Sequence, residues 1–245
     1  MPVPGRYLAN RVRRSAVAYV RSYVTVVRND VLSVFANLND RATRIRDDEY
    51  RRLCKLPAPD DFDGDLSGLA DRSHESGMVF YKTMTDLRQA TLALYAVGLF
   101  HAIEQHLSDI CDDASYGVPP PGDTKLSVLV TWYRRNFRLD LTTLSRWEQI
   151  ETLRLLANTV KHGAGDSETK LRQRCPALFQ DQGLREILPD FPELYTSPKT
   201  RLPLAGQDLF ISESQFADFG ASAIAFTEEI AEHFQNQSEH FFVDA

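Results

Sequence analysis

Nothing in this 245-residue sequence is long, apolar and uninterrupted. The best candidate, "ATLALYAVGLF", ends after 11 residues, short of the roughly 18 to 20 that a membrane-spanning helix needs. No membrane partner is therefore expected. The N-terminus lacks the apolar core and small-residue cleavage site of a secretory signal. It is arginine-rich and acid-poor, as transit peptides are, and reads as the first helix of the fold. Cysteine is scarce: Cys54, Cys111 and Cys175 are odd in number and widely spaced. That excludes a disulfide framework and a zinc site of paired cysteines, and it fits a reducing cytoplasm. There is no phosphate-cradling glycine loop and no nucleophile elbow. "GAG" at 163–165 is too short for a dinucleotide fingerprint and follows a helix instead of a strand. No cofactor and no metal are expected.

Charge is present but unevenly placed. Residues 1–55 hold 12 basic and 5 acidic side chains, a balance of +7, whereas residues 56–245 hold 16 and 29, a balance of −13. The acidic whole excludes a general nucleic-acid binder, because phosphate contacts need local positive charge. Two readings of the basic end remain open. It packs on the acidic body, or it forms a local patch for a polyanion.

Periodicity gives the fold class. Val17, Val20, Val24, Val27, Val31, Val34 and Leu38 recur at alternating spacings of three and four. This is a helical seam that overrides valine's β preference and needs a partner helix, in this chain or in a second copy. Residues 56–73, rich in Pro, Asp and Gly, read as a linker between an N-terminal arm (1–55) and a main body (74–235). A long helix is expected from His74 to Asp113, with Ala96, Phe100, Ile103, Leu107 and Ile110 on its apolar face. Gly98 within it marks the close approach of another helix. "YGVPPPGD" breaks the chain, and a helix at 125–137 follows. Asp140 or Thr142 is expected to cap the next helix, and Gly163 to end it in a left-handed conformation. Asp166 or Ser167 starts a short helix that stops before Pro176. Residues 176–208 contain five prolines and read as irregular. "DLFIS" and "TRLPL" are expected to pair as a minimal β-hairpin. Ser212 and Gln215 form a capping box ahead of a last helix with Phe216, Phe219, Ala223, Phe226 and Ile230 on one face. The expected fold is an all-α bundle of long antiparallel helices.

One helix holds a polar stripe. At 100° per residue, Ile150, Leu153, Leu156, Ala157 and Val160 form its core face. Trp147, Glu151, Arg154, Asn158, Lys161 and His162 lie beside that face, with 154, 158 and 162 stacked in one direction. Such a set suits metal-free RNA cleavage. His162 can act as general acid/base, with Arg154 and Asn158 as its catalytic partners and Lys161 on the phosphate. The plainer reading pairs Glu151 with Arg154 or Lys161 and makes His162 a C-terminal cap. His101 and Glu104 read as a polar patch facing this helix. His101 and His106 are too far apart in angle to share a metal ion. "WYRRNFR", with Arg134 and Arg135, reads either as an RNA contact through stacking and ion pairing or as an ordinary surface helix.

"LRLLANTVKHG", preceded by the helix bearing "GLFHAIEQHL", resembles the HEPN superfamily over about 90 residues. These are helical bundles of prokaryotic defence, toxin–antitoxin and RNA-processing systems. Their signature is an arginine, a polar residue beside it, and a histidine four to six residues further on. Asn158 and His162 match that pattern; Ala157 stands where the arginine belongs, and Arg154 lies one turn early on the same face. The resemblance implies a metal-independent endoribonuclease acting as a homodimer, with RNA as substrate and a cognate antitoxin or defence protein as a further partner. The departure at Ala157 leaves open a non-catalytic HEPN-like module that binds a protein or RNA.

Overall fold

A computed structural model describes residues 4–57, 66–114, 119–201 and 203–237. About 80% of the described residues are helical, and none lies in a β-strand. No described helix is long and apolar enough to cross a membrane.

Residues 5–35 build one continuous rod. It consists of α1 (Gly5–Val12), a π-helical turn (Arg13–Val17), α2 (Ala18–Val26), a second π turn (Val27–Val31) and a short 3-10 turn (Leu32–Phe35). The π turns explain how the valine seam is used. Each π turn adds a residue to the helical period, so the buried positions step by five across it, from Val12 to Val17 and from Val27 to Leu32. Val17, Val20 and Val27 are buried as the spacing predicts, but Leu32 replaces Val31 in the core and Val34 is 57% exposed. The seam's partner lies in this chain. Val24 packs against Gly220, and Tyr23 donates a 2.9 Å hydrogen bond to the Tyr95 carbonyl, over Gly98.

Asn37, left-handed at φ 55° and ψ 37°, turns the chain into α3 (Leu38–Leu53). Asparagine tolerates that conformation better than most side chains. α4 then runs from Ser67 to Ala114, 48 residues or about 72 Å. It starts before the expected His74, so the expected linker (56–73) overlaps its first turns. Residues 58–65 of that linker lie outside the described residues. α3 packs antiparallel on the first half of α4. Arg41 sits 5.1 Å over the Phe80 ring, and Gly77 lets the backbone at Ala42 come close.

The second half of α4 is the spine of the core, with Leu92, Ala93, Ala96, Leu99, Ile103, Leu107 and Ile110 almost wholly buried. Around it stand the N-terminal rod, α5 (Leu126–Phe137), α6 (Trp147–His162) and α10 (Glu213–Asn236). Leu8 to Leu32 and Leu92 to Phe234 share one hydrophobic cluster, so the rod of the expected N-terminal arm is one wall of the main body, while α3 lies outside that cluster. The rod runs antiparallel to α10, and Arg13 reaches Glu228 at 3.3 Å and Gln235 at 2.6 Å. The expected capping box forms: Gln215 N donates to Ser212 Oγ at 3.0 Å, and Ser212 N to Gln215 Oε1 at 2.8 Å.

Between α6 and α10 the chain holds α7 (Asp166–Arg174), α8 (Gln182–Ile187), α9 (Pro192–Tyr195) and short 3-10 turns. The expected hairpin is absent among the described residues. Phe210 N instead donates to the Leu178 carbonyl at 2.8 Å, and an isolated antiparallel bridge pairs Gln180 with Thr196. The apolar alternation of "DLFIS" is used for burial, since Leu209 and Ile211 sink into the core. A buried clasp holds the region. Glu168 Oε1 accepts from Thr200 N (3.1 Å), Thr200 Oγ1 (3.2 Å) and Arg172 (2.7 Å), while Arg172 stacks 3.8 Å from the Phe179 ring.

Candidate functional site

α6 forms because its apolar residues recur with a period near 3.6. Its core face is the expected one: Ile150, Leu153, Leu156, Ala157 and Val160 are all buried. Leu155 and the hydroxyl residues Thr152 and Thr159 are buried too, and each threonine donates to the carbonyl four residues back, at 2.8 Å. Asp140 caps only the 3-10 turn Leu141–Thr143, one turn ahead of α6. The helix ends at Gly163, whose φ of 70° is the positive value expected but whose ψ of −142° leads the chain away in an extended direction. The Thr200 carbonyl would lie 3.3 Å from a Cβ there, so a larger residue would be strained by the backbone and tight against that carbonyl.

The stripe is present on the border of the core and is divided in its bonding. Arg154 forms a two-pronged ion pair with Glu151, Nε to Oε2 at 2.8 Å and a terminal nitrogen to Oε1 at 2.6 Å. That hydrogen bond raises the arginine's already high pKa, with a smaller contribution from Glu104. Arg154 is thus a cation whose charge is largely answered within its own helix. Ala157, where the resemblance puts an arginine, is fully buried. No side chain at 157 points to the stripe. Asn158 is half-buried and His162 exposed. Neither makes a side-chain hydrogen bond or ion pair among the described residues. His162 is therefore not bonded as a side-chain cap.

The polar patch on α4 meets this stripe at Lys161. Lys161 Nζ lies 3.3 Å from His101 Nε2, and His101 Nδ1 lies 3.1 Å from Glu104 Oε2. One tautomer satisfies both contacts: Nδ1 carries the proton and donates to Glu104, and Nε2 accepts from the ammonium. Glu104 is anchored in turn, because its Oε1 accepts from the Leu126 backbone N–H at 3.0 Å, at the start of α5. A carboxylate, an imidazole and an ammonium thus form a chain across two helices, ending one residue before His162. Composition gave no sign of the Glu104–Leu126 link, since its partners are 22 residues apart.

His106 takes no part. Its ring packs edge-on to Tyr19 at 5.1 Å, and burial lowers its pKa. Among the described residues no three His, Cys, Asp or Glu side chains converge as a metal would require. Arg134 and Arg135 are not joined to the stripe by any hydrogen bond or ion pair among the described residues. Arg134 pairs with Asp140 at 2.8 Å, and Arg135 stands exposed. Trp132 is turned inward, donating to the Pro119 carbonyl at 3.1 Å and packing on Phe137. The interleaved aromatics of this helix serve the core instead of offering faces to stacked bases.

Comparison with known proteins found no matching family model, no matching curated protein and no matching solved structure.

Proposed function

We propose that this chain is a metal-independent, HEPN-like endoribonuclease whose site lies where the end of α6 crosses α4. The observation behind this reading is the Glu104–His101–Lys161 chain, which ends one residue before His162, exposed and without a side-chain hydrogen bond among the described residues. A base, an acid and donors for the charged phosphorane are what cleavage without a metal requires. His162 takes the proton of a 2′-hydroxyl, and the 2′-oxygen attacks the adjacent phosphorus. The bond from phosphorus to the 5′-oxygen breaks. The Lys161 ammonium, held by the neutral His101 imidazole that Glu104 orients, returns a proton to that leaving oxygen. Lys161, with Asn158 beside it, answers the charge on the five-coordinate phosphorus. In this reading the protein acts in the cytoplasm as a homodimer, within antiviral defence, a toxin–antitoxin pair or a stress response.

The test is incubation with mixed RNA in EDTA. Cleavage should persist and leave 2′,3′-cyclic phosphate and 5′-hydroxyl ends. His162→Ala should slow it by roughly two to four orders of magnitude, the usual range for a general acid/base. Intact RNA with wild-type protein, or cleavage indifferent to His162→Ala, would refute the reading.

A second reading is favoured by one observation, the pairing of Arg154 with Glu151 above a buried Ala157. In it the same border is a non-catalytic surface for a partner protein or RNA.

A further inference from the structure

The basic N-terminal end is spent in two different ways. Residues 1–39 contain six arginines and a single carboxylate, Asp30. Arg11 and Arg13 turn inward and pair with the acidic body, at Asp113 (2.7 Å) and Glu228 (3.3 Å). Arg6 is exposed near the start of α1, and further along the rod Arg14, Arg21 and Arg28 do not turn inward either. All three are exposed, and none forms a side-chain hydrogen bond or ion pair among the described residues. They recur every seven residues, with the exposed Ala18 and Thr25 between them, and so form one outward row that winds along the exposed flank of the rod through its two π turns. Arg14 and Arg28 are roughly 20 Å apart at ordinary helical rise. Tyr7, 53% exposed, stands one further seven-residue step toward the N-terminus.

We infer that this row is a binding surface for the phosphate backbone of single-stranded RNA. Three unanswered guanidinium groups, about 10 Å apart along one rigid rod, can each meet a phosphate of a repeating polyanion. Residues 56–245 carry a balance of −13, so the row is the part of the surface where a polyanion meets little repulsion. The row also differs from α3, whose Arg46, Arg51 and Arg52 are each answered by a neighbouring carboxylate. A bare helix and a backbone of fixed charges give no base readout, so binding should be nearly independent of sequence. This inference rests on the RNA reading above for the identity of the polymer, and on nothing in the α4/α6 site.

The experiment uses the full chain and a fluorescent 20-nucleotide RNA of mixed sequence with 2′-O-methyl groups, which cannot be cut through its 2′-oxygens. Anisotropy is followed from about 50 to 300 mM salt. Each phosphate contact on a single strand contributes about 0.7 to the slope of log K against log salt. Replacing Arg14, Arg21 and Arg28 together by Ala should therefore lower the slope by about 2 and weaken binding about tenfold or more near 100 mM. The paired variant Arg51→Ala/Arg52→Ala should leave the slope unchanged. A wild-type protein that does not bind this RNA overturns the inference. So does a triple variant, folded by circular dichroism, with the wild-type slope, or an equal loss in the α3 variant. Salt-dependent binding through the row in a protein that never cuts RNA would refute the nuclease and leave the row standing.

Discussion

Gly220 sits where α10 crosses the N-terminal rod, and a single methyl group added there tests whether the valine seam packs as described. Two effects oppose each other in Gly220→Ala. Alanine favours the helix over glycine by about 1 kcal/mol. But the new Cβ would lie 2.5 Å from Val24 Cγ2 and 3.0 Å from Cγ1. Valine is stiff about its Cα–Cβ bond and cannot swing away, so the overpacking costs about 1 to 3 kcal/mol. The steric cost wins, and we expect a net loss of about 1 kcal/mol. Val24→Ala alone removes two partly buried methyl groups and should cost about 1 kcal/mol at about 0.8 per buried methylene-sized group. Together the two changes remove the clash and keep the helix gain, so the double variant should lie near wild type. The coupling is then about 2 kcal/mol, the size expected of residues in direct contact. Urea unfolding followed by circular dichroism measures all four proteins, and each 1 kcal/mol corresponds to about 2–4 °C in melting temperature for a chain of this size. Additive effects, or a Gly220→Ala variant stabilised by the full helix preference, would show that Val24 and Gly220 are not in contact.

Two further expectations concern other parts of the fold. Glu168→Ala leaves Thr200 N–H and Arg172 without their shared acceptor, so about 1–3 kcal/mol should be lost and the Thr200 amide should exchange faster by hydrogen-exchange mass spectrometry. Retained protection at Thr200 would refute the clasp. Asp140 is held down to about 2, first by its hydrogen bond from Arg134 and then by Thr142. A depressed carboxylate stabilises the fold above its ordinary value and loses that contribution as pH falls toward the folded one. Asp140→Asn should therefore flatten the fall in melting temperature between about pH 4 and pH 2, and an unchanged profile would contradict the pairing.

The helices were legible because their period is local. The capping box at Ser212, the core face of α6 and the close approach at Gly98 could all be read from spacing alone. The pairing of Arg154 with Glu151 was legible as one of two options, since both lie three residues apart on one helix face. The π turns were not, because the seam's spacing is equally consistent with an unbroken α-helix up to Val34. What selects them is the core itself, which takes Leu32 in place of Val31. "DLFIS" misled for a related reason. Alternating apolar residues indicate a strand only when a neighbouring strand exists, and here Leu209 and Ile211 fill space between helices. The Lys161–His101 contact joins residues 60 apart in sequence. Helix faces could say that the two patches look toward each other, but not which side chains meet.

α4 is one uninterrupted helix with two very different surroundings. From Ala90 onward it is enclosed on several sides by apolar residues, while before that point only Ser73 and Gly77 are buried and its companion is the strongly charged α3. A helix of uniform backbone geometry therefore spans two free energies. Its first half is held mainly by α3 until Asp86, where Gly206 and Gln207 join it, and the stretch before that residue should open and close many times for each global unfolding event. Its second half should open only when the whole molecule does. The molecule thus behaves as a rigid block with a breathing handle, and the boundary between them is set by where the apolar side chains begin, with no break in the helix to mark it.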